Sequence, residues 1–292
     1  MSVANFITSD TKILCVIGHP IEHSLSPIMH NAALKDLGLN YVYLAFNITP
    51  KQLKKAILGI RALEVKGFNV TIPYKEKICA YLDSMNPITK KIGAINTVKN
   101  ENGFLIGKNT DTEAAKKVLL DAGFELDGKK VLVLGAGGVA RGICYAIGEL
   151  TSEIVIANRT MKRAKNLAKF YNKYFKINIK GINLNKIILK NEIKTSDILI
   201  NATPVGMYPN INQSPILTDF LHNELQVFDL IYNPIETKLI KDAKAIGCKT
   251  LGGVDMLVNQ GALSFEWWTN KKPNLQLMKN IVIEKLMMDN VR

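Results

Sequence analysis

Short apolar runs recur along the chain and are separated by longer stretches with helical periodicity. In the front part, three apolar runs occupy residues 12–18, 41–46 and 66–70. Helical patterns near residues 27–38 and 50–61 lie between them. Because strands that alternate with helices pair in parallel, we predict an α/β domain with a mostly parallel sheet.

A second series of apolar runs begins in the middle of the chain, at residues 131–135, 154–158, 197–202 and 227–232. These runs are apolar throughout, which is typical of strands covered on both faces. The final segment is helical in pattern, and we expect it to pack on the first domain. The predicted domains are therefore residues 1–110 completed by 256–292, and residues 111–255.

The second series opens with VLVLGAGGVARG, a strand that leads into a glycine-rich turn and then a helix. In such a turn Gly135 permits the tight bend, Gly137 lets backbone approach a pyrophosphate, and Ala140 lets the helix pack closely on the strand. The helix N-terminus then offers unpaired N–H groups to the anion. A purely structural turn is the alternative, but the flanking strand and helix favour a Rossmann-type doubly wound domain.

The next strand ends in Asn158-Arg159-Thr160. An NAD-binding domain places an acidic residue near this position, where it binds the ribose 2′-hydroxyl. Here the strand end is basic, and Arg163 follows one helical turn later. Since guanidinium groups match a phosphate, we predict NADP(H) as the cofactor, chance surface arginines being the alternative.

Polar clusters in the front part suggest a ligand site. They are Ser24-Leu25-Ser26-Pro27, with Ser26 read as the N-cap of a helix, Asn69 to Lys75, Gly93 to Thr97, and Asn109 to Thr112. Helix capping, turn chemistry and a surface lysine could each explain one cluster. Four such clusters together favour a site at the carboxyl ends of strands, where α/β sheets bind ligands.

The motifs of the whole chain resemble those of the shikimate dehydrogenase family. In chain order they are SLSP, NVTIPYK, GAINT, NTD, GAGGVAR, NRT, NATPVGM, DLIYNP and GGVDMLVNQG. Each motif alone is weak, whereas their joint occurrence in family order is specific. The resemblance implies reversible NADPH-dependent reduction of 3-dehydroshikimate to shikimate, a step in the biosynthesis of chorismate and the aromatic amino acids.

The resemblance also assigns roles to individual residues. Lys75 and Asp111 would be catalytic, and the substrate would be bound by these two together with Ser24, Ser26, Asn69, Thr71, Asn96, Tyr232 and Gln260. The cofactor would be bound by Gly135, Ala136, Gly137, Gly138, Val139, Asn158, Arg159, Thr160, Arg163, Thr203, Met207, Leu230 and Gly253. Thr112 and the pair Val254-Asp255 depart from the commonest family pattern, which leaves the substrate affinity open.

Composition narrows the other possibilities. The formal net charge is +13 at pH 7, but the excess is scattered lysine, which is usual for a solvated surface and favours anionic ligands over a nucleic-acid stripe. The cysteines and histidines lack the spacing of a metal site, so we predict no metal. Without a leader or an apolar membrane span, a cytoplasmic monomer or homodimer is expected, with no membrane partner.

Two alternative functions stay open at this point. A quinate/shikimate dehydrogenase with relaxed NAD/NADP use is the alternative enzyme. A regulatory NADPH-binding or nucleic-acid protein without turnover is the alternative from a different class of protein.

Overall fold

The computed structural model describes residues 7–289. These residues divide into two compact units, the first running to Thr110 and resuming at Val258, and the second comprising Asp111–Leu257. Residues 1–6 and 290–292 lie outside the described residues, so the reading of the extreme N-terminus and the end of the predicted helical segment 256–292 are not tested.

The first unit contains a six-stranded sheet flanked by helices. Its strands are β1 (Lys12–Gly18), β2 (Tyr41–Asn47), β3 (Gly67–Val70), β4 (Ser84–Met85), β5 (Thr97–Glu101) and β6 (Phe104–Lys108), in the order β2-β1-β3-β5-β6-β4. Its helices include α1 (Ser26–Asp36), α2 (Leu53–Ala62) and α3 (Pro87–Ile92). Strand β5 runs antiparallel to both neighbours, and the other pairs are parallel. The mostly parallel sheet is thus confirmed, with one reversed strand.

The reversal of β5 follows from a two-residue hairpin that joins it to β6. Asn102 and Gly103 form the loop with φ of 53° and 87°, and Glu101 pairs directly with Phe104. Positive φ at both loop residues is the type I′ geometry that Asn-Gly favours.

The second unit is a regular parallel sheet covered by helices. Its strands are β7 (Lys130–Leu134), β8 (Glu153–Asn158), β9 (Asn178–Asn183), β10 (Ile198–Asn201), β11 (Gln226–Asp229) and β12 (Lys249–Leu251), in the order β12-β11-β10-β7-β8-β9. Its helices are α4 (Thr110–Asp121), α5 (Gly138–Ile147), α6 (Met161–Tyr171), α7 (Lys186–Lys194) and α8 (Lys238–Ile246). All its strand pairs are parallel. The strand order reverses between β7 and β10, which makes the carboxyl ends of these two strands the expected ligand position.

Two long helices, α9 (Gly253–Thr269) and α10 (Leu275–Asp289), close the described chain. From Val258 onward their residues belong to the first unit. There Trp268 packs against β3, because a Cβ on Gly67 would lie 2.4 Å from its ring, and its indole N–H donates to the Val98 carbonyl at 2.9 Å. This glycine therefore gives α9 close access to the sheet.

Candidate functional site

A buried hydrogen-bond network in the first unit is centred on Asn96. Its Oδ1 accepts from the Thr110 N–H at 2.8 Å, and its Nδ2 donates to the Thr110 hydroxyl at 2.9 Å and to Gln260 Oε1 at 3.2 Å. Asn96 is 2% exposed. The network thus brings together two predicted substrate residues that are far apart in sequence, Asn96 and Gln260.

Asn69 on β3 extends this network. Its Nδ2 lies 3.0 Å from the Asn96 carbonyl, 3.1 Å from the Thr97 hydroxyl and 3.1 Å from the Ser264 hydroxyl. Its Oδ1 accepts from the Tyr43 hydroxyl at 2.7 Å. Because a backbone carbonyl can only accept, the amide orientation of Asn69 is fixed, and its polar atoms serve the protein interior.

Ser24 and Ser26 lie where α1 begins, but the predicted capping role of Ser26 is wrong. The N-cap is Leu25, whose side chain makes no capping hydrogen bond. Instead the Ser26 N–H donates to Ser24 Oγ at 3.3 Å. Burial raises the pKa of Tyr43, and a hydrogen bond from the Ser26 side chain opposes that rise. The Ser26 hydroxyl therefore influences Tyr43 and makes no capping hydrogen bond to the helix.

Thr71 and Lys75 follow the carboxyl end of β3. The Thr71 N–H donates to the Ile17 carbonyl at 3.0 Å, and a Cβ on Gly18 would lie 2.5 Å from the Thr71 methyl group. Lys75 is half-buried in a turn, and its carbonyl accepts from the Ile95 N–H at 2.7 Å. The turn is thus fixed to the segment that carries Asn96.

Two predicted substrate residues belong to the second unit. Asp111 lies in the first turn of α4 and is 3% exposed, next to Thr110, which Asn96 holds. Tyr232 follows β11 and is half-buried, and burial raises the pKa of its hydroxyl. The approach of Lys75 to Asp111 and of either to Tyr232 stays a prediction.

The glycine-rich turn joins β7 to α5 as the sequence pattern predicts. Gly135 has a φ of +108°, and a Cβ there would lie 2.9 Å from the Ala202 carbonyl oxygen. Gly137 is the N-cap of α5 and provides no side chain to satisfy the first N–H groups of the helix. A Cβ on Gly137 would meet nothing within 4 Å, so there is open space beside the backbone at this position. An anion such as a pyrophosphate fits this arrangement.

The predicted phosphate-binding residues lie at the adjacent strand end. Strand β8 pairs with β7 and ends at Asn158, whose Nδ2 donates to the Thr160 carbonyl at 3.0 Å. Arg159, Thr160 and Arg163 are exposed. Within residues 7–289 the Arg159 guanidinium makes no ion pair, so its charge is available to a ligand phosphate.

The remaining predicted cofactor residues follow β10 and β11. Thr203 and Leu230 are half-buried, and Met207 is exposed. Gly253 starts α9, where a Cβ would lie 2.3 Å from the Leu230 carbonyl oxygen. Close backbone packing explains why this position is glycine.

Several residues of the polar network received no individual role from the sequence, namely Tyr43, Thr97, Thr110 and Ser264. Thr97 and Thr110 stood inside the motifs GAINT and NTD. Ser264 carried a usable signal, since it lies one helical turn after Gln260 on α9. Tyr43 carried none, because a tyrosine in an apolar strand is ordinarily a core residue.

The second unit, with its parallel sheet, switch point, glycine turn and unpaired arginine, defines a dinucleotide-binding oxidoreductase class. The chain matches three family models. They are described as shikimate dehydrogenase substrate binding domain (residues 16–98), shikimate / quinate 5-dehydrogenase (residues 113–230) and shikimate 5′-dehydrogenase C-terminal domain (residues 253–283).

Known proteins resemble the chain over nearly its full length. The curated shikimate dehydrogenase (NADP(+)) of Methanocaldococcus jannaschii is 46% identical, over 96% of this chain and 99% of the relative. A crystal structure of a shikimate dehydrogenase in complex with NADP+ has a TM-score of 0.89 at 43% identity, covering 97% of this chain and 99% of its own. The Listeria monocytogenes enzyme in complex with shikimate and NAD has a TM-score of 0.85 at 39% identity, covering 94% and 98%. The chain belongs to the shikimate dehydrogenase family.

Proposed function

We propose that the protein is an NADP-dependent shikimate dehydrogenase, which reversibly reduces 3-dehydroshikimate to shikimate in aromatic amino acid biosynthesis. The observation that carries the proposal is full-length similarity to a curated shikimate dehydrogenase (NADP(+)), at 46% identity over 96% of the chain. The open space beside the Gly137 backbone and the unpaired guanidinium of Arg159 support the choice of cofactor.

The second unit would hold the cofactor by its two ends. Gly135 to Val139 would bind the pyrophosphate with backbone N–H groups, and Arg159 with Arg163 would bind the 2′-phosphate. Thr203, Met207, Leu230 and Gly253 would contact the nicotinamide half. When bound, NADPH supplies the hydride that reduces the substrate ketone.

Lys75 and Asp111 would manage the proton. As the ketone is reduced, negative charge develops on its oxygen, so an acid must lie within hydrogen-bond reach of that oxygen. Lys75 would donate the proton to this oxygen and stabilise its charge. The Asp111 carboxylate would orient the Lys75 ammonium by attraction between opposite charges.

The buried network would supply substrate selectivity. Ser24 and Ser26 would bind the carboxylate, while Thr71, Asn96, Tyr232 and Gln260 would bind ring hydroxyls, with Asn69 holding the others in place. A substrate without matching hydroxyls would leave buried polar groups unpaired, at a cost of roughly 1–3 kcal/mol each.

Quinate or NAD as an additional substrate is the second candidate. One matching family model is described as shikimate / quinate 5-dehydrogenase, and the Listeria structure contains NAD. Measuring kcat/KM for shikimate and quinate with each cofactor separates the two candidates. The proposal predicts the highest value for shikimate with NADP+, and comparable values for all four combinations would support the relaxed enzyme instead.

The remaining expectations concern partners and location. No helix within residues 7–289 combines the length and apolar character that crossing a membrane requires. We infer that the protein works in the cytoplasm on small molecules, as a monomer or a homodimer. The non-catalytic alternative predicts nucleic-acid binding that weakens steeply with salt, whereas the enzyme is expected to show none.

A further inference from the structure

One buried carboxylate in the second unit has no part in the chemistry proposed above. Asp229 is the last residue of β11 and is fully buried. Its partner in the sheet register is Asn201, the last residue of β10, which is also fully buried. Both residues lie at the carboxyl edge of the sheet, where the expected ligand position is found.

The Asp229 carboxylate accepts hydrogen bonds from three separate segments. Its Oδ1 accepts from Asn201 Nδ2 at 3.0 Å and from the Ile231 N–H at 3.1 Å. Its Oδ2 accepts from the Thr237 hydroxyl at 2.7 Å, and Thr237 is the N-cap of α8. One side chain therefore joins the end of β10, the turn after β11 and the start of α8.

Asn201 passes this restraint to the loop that follows β10. Its Oδ1 accepts from the Thr203 N–H at 3.0 Å and from the Thr203 hydroxyl at 2.7 Å. Its Nδ2 also lies 3.4 Å from the Val205 carbonyl oxygen. A continuous set of hydrogen bonds thus connects residues 201–205 with residues 229–237.

These two segments carry Thr203, Leu230 and Tyr232, which the proposed function places near the nicotinamide and the substrate. We propose that Asp229 is a positioning residue, whose carboxylate fixes both loops so that they present a preformed pocket to the nicotinamide half of the cofactor. This inference rests on the proposed function, since it deepens the cofactor site assigned there.

The energetics of Asp229 support a role in geometry. Burial raises the pKa of Asp229 to about 6, against the opposing effect of hydrogen bonds from Thr237, Ile231 and Asn201. The ionised carboxylate is thus held in a place that penalises its charge. Because burying this charge costs stability, packing alone does not account for a carboxylate at this position.

The test is Asp229→Asn, which keeps the shape of the side chain but replaces one acceptor oxygen by an NH2 group. The amide oxygen can still accept from Asn201 and Ile231, but the new NH2 group meets the Thr237 hydroxyl, which must then accept instead of donate. The hydrogen bonds to a charged carboxylate become weaker neutral ones, and the hold on the two loops is reduced. We expect NADPH to bind roughly tenfold more weakly, the scale of one or two lost hydrogen bonds. Adenosine 2′,5′-bisphosphate, which lacks the nicotinamide, should bind within about twofold of the wild type, and the melting temperature should stay within about 3 °C.

Asp197→Asn is the matched control. Asp197 precedes β10, so it lies at the amino ends of the strands, opposite the carboxyl ends where Asp229 lies. Its carboxylate accepts from the Lys130 N–H at 2.8 Å. This variant should bind both ligands as the wild type does.

Three results with Asp229→Asn overturn the inference: equal weakening of both ligands, unchanged binding of both, or failure to fold. A wild-type protein that binds no NADPH overturns the proposed function itself, which makes the two failures distinguishable.

Discussion

The two units offer different kinds of binding group. The first unit buries a network of side-chain amides and hydroxyls, built on Asn69, Asn96 and Ser264. The second unit offers backbone N–H groups at Gly137 and an exposed guanidinium at Arg159. A small ring with several hydroxyls can be distinguished only by preset side chains, whereas a dinucleotide phosphate is bound by features of the fold itself. Selectivity for the substrate and selectivity for the cofactor should therefore respond to different mutations.

The largest effect is expected at Lys75. Lys75→Ala should lower kcat about a hundredfold or more, because the developing oxyanion loses its acid, with a smaller change in KM for shikimate. Steady-state kinetics in both directions measure this. Lys77→Ala, an exposed lysine two residues away, is the control and should retain full activity. A near-normal kcat for Lys75→Ala would remove this residue from the mechanism.

Among the residues proposed to bind the cofactor, Arg159 should have the largest effect on NADPH binding when it is replaced. Arg159→Ala should weaken NADPH binding by about 1.5–3 kcal/mol, the scale of a charged hydrogen bond, and leave NADH binding nearly unchanged. Fluorescence titration with both cofactors measures the difference. Lys169→Ala, which changes an exposed residue on α6, the helix that follows Arg159, should alter the binding of neither cofactor. Equal losses for NADPH and NADH would refute the assignment of the 2′-phosphate.

The stability of the first unit should fall in acid because of His30. This histidine stacks on Tyr43 with ring centroids 4.3 Å apart, and burial lowers its pKa from 6.5 to about 3. Between about pH 6.5 and pH 3, His30 is protonated in the unfolded chain but neutral in the folded chain. The free energy of unfolding therefore falls as the pH drops through this window. Between pH 7.5 and pH 5 the loss from this group is about 2 kcal/mol.

His30→Phe keeps the stacking and removes the titration. Urea unfolding at both pH values should show a smaller loss of unfolding free energy for this variant, by about 2 kcal/mol. The same pH dependence in both proteins would mean that His30 is not held neutral.

The smallest change in cofactor binding is expected at the glycine turn, where two glycines should differ in what their substitution disturbs. Gly137→Ala adds a methyl group to open space, so stability should hold while NADPH binding falls roughly tenfold through loss of the close backbone approach. An alanine at position 135 would have to adopt the positive φ of the glycine, and its Cβ would clash with the Ala202 carbonyl oxygen. Gly135→Ala should therefore lower the free energy of unfolding by about 1–3 kcal/mol. Thermal unfolding and NADPH titration of both variants test this, and stronger destabilisation by Gly137→Ala would contradict it.

The regular parts of the fold followed from pattern alone. Strands β7, β8, β10 and β11 are buried apolar runs, and their alternation with helices predicted the parallel sheet. The hairpin of β5 and β6 carried a signal that the interpretation passed over, the Asn102-Gly103 pair between two short strands. Strand β9, with the sequence NIKGIN, carried almost none, because an edge strand buries too little apolar surface to produce a pattern.

The candidate site also has parts that a local sequence pattern reveals and parts that it does not. The motif around Gly135 could be interpreted locally, since strand, turn and helix are contiguous. The partners of Asn96 could not, because Thr110 and Gln260 reach it only through tertiary packing. Ser26 illustrates the difference, since a local rule predicted a helix cap and a tertiary contact with Tyr43 took its place.

Mixing the purified protein with shikimate and NADP+ and following both products shows directly whether the protein catalyses the proposed reaction. We expect NADPH and 3-dehydroshikimate to form in equal amounts until equilibrium is reached. A protein that binds both ligands but forms neither product would contradict this expectation.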